Sequence, residues 1–231
     1  IFDDYVDVAN VRLVSLMDHT PGQRQFTCMD TYKRYYQGKY GMSDDELAAF
    51  VAAKRESQER YSALHRARIV GECRARGITM ASHDDATAEH VDEAVENGVT
   101  IAEFPTTVES ASKAHGAGLS VLMGAPNLVL GGSHSGNVSA MHLAERKVLD
   151  ILSSDYVPSS MIQGVFMLWQ SGAKKTLPDA VATVSTTPAR AVGLDDRGAI
   201  VTGRRADMVR VAMHDNTPTV VSVWREGHRV I

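Results

Sequence analysis

Two histidines in this sequence stand next to carboxylates: His19 follows Asp18, and His83 precedes Asp84 and Asp85. Glu103, Asn127 and Asp155 also sit where apolar, β-branched runs come to an end. Imidazole and carboxylate are ligands for borderline divalent metals, and several converging at one rim make the donor set of a metal hydrolase. A bound metal brings the pKa of its water toward neutrality and polarises a carbonyl or phosphoryl oxygen. A carboxylate beside that water can take its proton. Each residue also has a structural use. Asp84 and Asp85 suit a helix cap, and one of them is expected to serve as one. Asp155 can cap the helix that follows it, and Glu103 can point inward or pair with a neighbouring strand.

A second set of residues suits a phosphate. Thr20-Pro21-Gly22-Gln23-Arg24-Gln25 follows the His19 run, and Gly131-Gly132-Ser133-His134-Ser135-Gly136-Asn137 precedes a helical segment. Glycines let backbone N–H groups approach an oxyanion near a helix N-terminus. Ser133, His134 and Ser135 add donors, and Arg24 can bind phosphate bidentately. An ordinary turn into a helix is the competing use. Tyr35 to Tyr40 offers either a stacking surface or the packed face of an insertion. Cys28 and Cys73 are expected to be inert rather than nucleophilic. No Gly-x-Ser-x-Gly elbow, Walker loop or dinucleotide fingerprint occurs.

The elements that must position these groups follow from hydrophobic patterning. Val11–His19, Ile78–Asp85, Thr100–Thr107, Ser120–Asn127 and Leu149–Tyr156 are short continuous apolar runs ending in polar residues. Such runs suit strands buried on both faces of a parallel sheet, and helical segments alternate with them, which predicts an α/β fold. Reactive side chains in that architecture gather at the carboxyl ends of the strands. Asp85 or Thr87 is predicted to cap a helix presenting Val91, Ala94 and Val95, and Thr106 with Glu109 a second helix. The first connection is long, about residues 30–76, with a capping box at Ser43 and Glu46 and helical spacing onward to Leu64. It predicts a helical insertion, either on the outside of the sheet or as a lid. Helices are predicted over Ser159–Ser171 and Leu177–Val192. The tail, with runs at 198–203, 206–211 and 220–231, reads as a small β segment.

Composition sets the remaining bounds. The 231 residues are 44% hydrophobic and 23% charged, an ordinary globular balance. A net charge of −4 gives no general attraction for nucleic acid or anionic membrane. No apolar run approaches the roughly 20 residues needed to span a bilayer. Two cysteines make no disulfide framework, and a reduced, cytoplasmic setting is expected. The chain opens Ile1-Phe2-Asp3-Asp4 without an initiating Met and soon enters an apolar run. A fragment or a processed chain is therefore expected.

Several long strings carry a family resemblance. Val14 to Phe26, Ala81 to Thr87, Ala102 to Thr107, Leu122 to Asn127, Gly131 to Asn137 and Asp150 to Tyr156 together resemble the amidohydrolase-superfamily enzymes of the carbon–phosphorus lyase pathway. The resemblance is collinear over nearly the whole chain. It implies a partial (β/α)8 barrel comprising strands four to eight within residues 1–193, and a piece of a small β subdomain over 194–231. It also implies hydrolysis of α-D-ribose 1-methylphosphonate 5-triphosphate to pyrophosphate and ribose 1-methylphosphonate 5-phosphate. Metal-activated water would attack the phosphorus that stays on ribose. On this resemblance His19 and His83 become metal ligands, Asp155 ligand and general base, and Glu103 a further candidate ligand. Gln23, Arg24, Asn127, Ser133, His134 and Ser135 become substrate-binding. Two divalent ions, zinc or manganese, are implied, with a phosphorylated ribose phosphonate as substrate and a homo-oligomer as the possible assembly.

The sequence departs from the pattern in two ways. Many relatives carry His where Glu103 stands, and no His-x-His or His-x-Asp pair occurs ahead of His19. The expectation is that this polypeptide alone is inactive or nearly so. Two alternatives stay open: another amidohydrolase acting on an amide or as a deaminase, and a non-catalytic half-barrel that needs a partner chain.

Overall fold

A computed structural model describes residues 2–6, 10–24, 29–133 and 136–231. After helix α1 (Phe2–Tyr5), strand β1 (Leu13–Leu16) leads through a long connection holding α2 (Met29–Tyr40) and α3 (Asp44–Arg76). Then β2 (Thr79–His83), α4 (Ala88–Glu96), β3 (Ile101–Glu103), α5 (Val108–Gly116) and β4 (Ser120–Gly124) alternate. They are followed by α6 (Ala125–Val129), α7 (Ala140–Glu145), β5 (Ile151–Ser153), α8 (Ser160–Gln170), α9 (Leu177–Ala182) and α10 (Thr186–Ala191). The chain closes with β6 (Met208–His214), β7 (Thr217–Arg225) and β8 (His228–Arg229).

The first five strands form one parallel sheet in the order β1-β2-β3-β4-β5, and the last three form an antiparallel sheet. The apolar runs are continuous because both faces of the parallel sheet are covered. Ala102, Val121 and Leu152 face the helix-side core, while their neighbours Ile101, Leu122 and Ile151 face a second apolar cluster. This two-residue alternation is the strand's own period. Among the described residues β1 and β5 each have a sheet neighbour on one side alone. No described helix is long and apolar enough to cross a membrane.

The expected insertion is present as two helices, and Ser43 and Glu46 form the capping box that starts α3. Thr87, not Asp84 or Asp85, caps α4 by accepting from His90 N–H. Thr107, not Thr106, caps α5 by accepting from Ser110 N–H. Thr106 is buried instead, its N–H donating to Asp85 O at 2.9 Å. The predicted fourth strand is shorter than expected, since Ala125-Pro126-Asn127 already turns into α6. The segment 177–192 breaks into α9 and α10 around Thr183 to Ser185, and 198–203 forms no strand. Ser159, not Asp155, stands at the N-cap of α8.

Candidate metal centre

Strand β2 ends at His83, and the next residue, Asp84, has φ 56°. Phe104, just after β3, has φ 54°, and Asp155, just beyond β5, has φ 47°. Left-handed backbone is uncommon outside glycine and costs of order 1–3 kcal/mol per residue in a bulky case. All three residues line one cavity of 280 Å³, together with His19, His83 and Gly124. Sheet hydrogen bonding holds Asp84 and Phe104 in this state. Asp84 N–H donates to Glu103 O at 2.9 Å, and Phe104 N–H donates to Leu122 O at 2.9 Å.

The bend at Asp84 turns its carboxylate between the two histidines. Its Oδ2 lies 3.2 Å from His19 Nε2 and 2.9 Å from His83 Nδ1. The imidazole rings meet edge-on with centroids 5.3 Å apart. One donor atom from each of His19, His83 and Asp84 falls within 4.8 Å of the other two. His83 and Asp84 are buried while His19 is more open. Despite its closeness to Asp84, His83 Nδ1 lies outside hydrogen-bond geometry and has no such partner among the described residues. A buried imidazole nitrogen left in this way costs roughly 1–3 kcal/mol unless something else binds it. Two imidazoles and a carboxylate around that lone pair fit a divalent ion such as zinc.

Electrostatics favour the charged partners. Burial opposes protonation of His83, but the carboxylates of Asp84, Glu103 and Asp85 outweigh it and raise its pKa. Burial pushes Asp84 upward, yet His19 and His83 hold its carboxyl below the usual range. Strand register sets Glu103 beside His83, with Oε2 3.7 Å from His83 Nε2. The same oxygen accepts from Ser15 Oγ at 2.5 Å. Glu103 therefore faces the outer ring nitrogen and lies outside the three-residue group. Asp155 is on the shared cavity and also outside that group.

The remaining sequence candidates separate. Ser133 lines the cavity. Asn127 lines it too, but its amide is committed to the backbone. Its Oδ1 accepts from Ala140 N–H at 2.9 Å and its Nδ2 donates to Val138 O at 3.4 Å. Arg24 is not on this cavity: it is buried, paired with Asp85 and, at 2.8 Å, with Glu93, so it is held by carboxylates instead of facing a phosphate. Gln23 lines a separate cleft beside Arg24 and Arg66. His134 and Ser135 lie outside the described residues. Asp84 is the member sequence reasoning left out of the ligand set. Its signal was its place directly after His83, shared equally with the reading as a cap.

Comparisons with known proteins bear on the chain as a whole. Residues 25–230 match the amidohydrolase family. An alpha-D-ribose 1-methylphosphonate 5-triphosphate diphosphatase from Escherichia coli (strain K12) is 48% identical over all 231 residues, which cover 61% of that relative. Among solved structures, an uncharacterized protein superposes with a TM-score of 0.53 at 18% identity, over 71% of this chain and 48% of the other. An adenine deaminase gives a TM-score of 0.48 at 14% identity, over 69% of this chain and 53% of its own. The first of these superpositions identifies the fold as one found in a chain about one and a half times as long.

Proposed function

This chain belongs to the amidohydrolase family, and from that premise we propose that it supplies the His19, His83 and Asp84 part of a site that hydrolyses α-D-ribose 1-methylphosphonate 5-triphosphate. The products are ribose 1-methylphosphonate 5-phosphate and pyrophosphate. The observation that carries the proposal is the 48% identity, over the full chain, to the relative bearing that name. Because the chain spans 61% of that relative, the complete reaction is proposed for a protein of the relative's span.

His19, His83 and Asp84 would hold a divalent ion, zinc or manganese, with Glu103 and Asp155 at the rim as candidates for a second. Such an ion supplies Lewis acidity toward a phosphoryl oxygen and makes water acidic near neutral pH. Asp155 takes the proton of the attacking water as its oxygen bonds to the phosphorus that stays on ribose. The bond from that phosphorus to the bridging oxygen breaks, and its electron pair departs with pyrophosphate. Ser133 donates to a phosphate oxygen from the cavity wall. Phe104, Pro105 and Met123 make that wall partly apolar, which limits water and strengthens the charge interactions.

Among the described residues the sheet has five strands, and the chain spans 61% of its relative. The chain alone is accordingly expected to bind metal yet turn over little substrate. The two cysteines fit a reducing cytoplasm, and the open strand edges fit association with a second copy. Pyrophosphate release from the ribose triphosphate, with divalent metal added, tests the reading. It should be absent with the chain alone and present with a protein of the relative's length. Cleavage of an amide or release of ammonia instead would overturn it.

A further inference from the structure

We propose that Arg24, through its ion pair with Asp85, is a positioning residue that holds His19 in register with His83 and Asp84; this rests on the metal-binding reading above. His83 and Asp84 sit at the end of β2, whereas His19 lies beyond the end of β1 in a segment without regular structure. An imidazole on such a segment serves a metal site when the segment itself is fixed.

Four of the side-chain contacts that tie down residues 17–24 differ in burial. Asp18 accepts from Thr20 N–H at 3.0 Å and from Gln58 Nε2 at 3.1 Å, and Arg55 Nε donates to Pro21 O at 3.3 Å. These three are half-buried. The fourth is different: Arg24 is buried and reaches Asp85, the neighbour of Asp84. Asp85 is itself braced. Its carboxylate accepts from Ser82 Oγ at 2.5 Å, and its carbonyl accepts from Thr106 N–H at 2.9 Å and Ser110 Oγ at 2.7 Å. The second guanidinium nitrogen donates to Glu93 on α4 at 2.8 Å, and Arg66 on α3 holds Glu93 in turn.

The result is a closed circuit. It runs from His19 along the backbone to Arg24, across the ion pair to Asp85, back one residue to Asp84, and across 3.2 Å to His19. Shortening or loosening any arm changes where His19 stands relative to the other two donors. A charge-assisted pair of planar groups is directional, and inside the protein it is screened little by salt. Groups that orient metal ligands from behind are typically worth about 10- to 100-fold in metal affinity.

Zinc titration of the chain, with amide hydrogen exchange on the metal-free protein, tests this role. Arg24→Met is expected to weaken zinc binding by about 10- to 100-fold and to speed exchange over residues 17–23. Gly198→Ala, which strains a turn remote from the cavity, should lower stability and leave both readouts alone. In a His19→Ala background Arg24→Met should lose its effect on zinc, since it acts through that imidazole. Arg24→Lys keeps the charge but not the fork. It should fall between parent and Arg24→Met, and it carries the test if the latter fails to fold. Equal zinc affinity in parent and Arg24 variants, or equal weakening with and without His19, overturns the role alone. A parent chain that takes no zinc overturns the metal reading and this role with it.

Discussion

Gly124 and Asp155 face one another across the ends of β4 and β5 so closely that a β-carbon on Gly124 would lie 3.0 Å from Asp155 Oδ2 and 3.3 Å from its Cβ. The backbone of Gly124 is ordinary, at φ −73° and ψ 129°, so glycine is required here for space alone. Gly124→Ala is therefore expected to push the Asp155 carboxylate aside while the protein stays folded. In a protein of the relative's span, pyrophosphate release should fall by about 100-fold, as misplacement of a reacting group by roughly 1 Å does. The melting temperature should change little. Turnover equal to the parent's would remove Asp155 from the role of proton acceptor.

Zinc should raise the melting temperature of the chain, because a ligand bound by the folded state alone stabilises it. At a hundred times the dissociation constant the gain is about 2.7 kcal/mol. His83→Ala deletes the orphaned buried nitrogen and should abolish the zinc-dependent shift. Asp84→Asn should reduce it. Calorimetric scans with zinc and with chelator make the comparison.

Gly198 illustrates a backbone requirement of the tail. Its φ is +87°, and a β-carbon there would come within 2.9 Å of Ser185 O and 3.0 Å of Ala189 Cβ. Strain and overlap act together, so Gly198→Ala should cost about 2–4 kcal/mol. Urea unfolding should show a lower midpoint with an unchanged slope.

The capping box of α3 makes a prediction about pH. The Ser43 backbone and side chain bond to Glu46 and hold its carboxyl below the ordinary value. A folded-state pKa that is depressed adds stability above the ordinary value near 4.3, and that stability is lost as pH falls through the folded value. Glu46→Ala should therefore melt below the parent at pH 7. The gap should close as the pH falls through that depressed folded-state value. A gap unchanged by acid would show that the box contributes nothing through charge.

Much of the scaffold was legible because it is local. Continuous β-branched runs read as two-face-buried strands, and Ser43 with Glu46 read as a cap, since both patterns depend on a few neighbouring residues. Thr87 and Thr107 show the edge of that reading. Each competed with a nearby polar residue of similar capping ability, and only the course of the chain out of the sheet chose between them. The break between α9 and α10 has Pro188 as its one local signal, set in the first turn of α10, and helical spacing ran on past it.

Residue types alone told that imidazoles and carboxylates would collect at the strand ends, because a parallel sheet delivers every such end to one edge. Tertiary structure decided which carboxylate joins the histidines. Asp84 and Asp85 are chemically identical neighbours, but the left-handed turn at Asp84 sends one toward His19, 65 residues away in sequence, and the other toward Arg24, 61 residues away. Arg24 makes the same point in reverse. Beside Gly22 it looked like a phosphate ligand, and packing surrounded it with carboxylates. Short-range sterics write strands and caps into the sequence, whereas the pairing of buried charges depends on distances that exist only once the chain has folded.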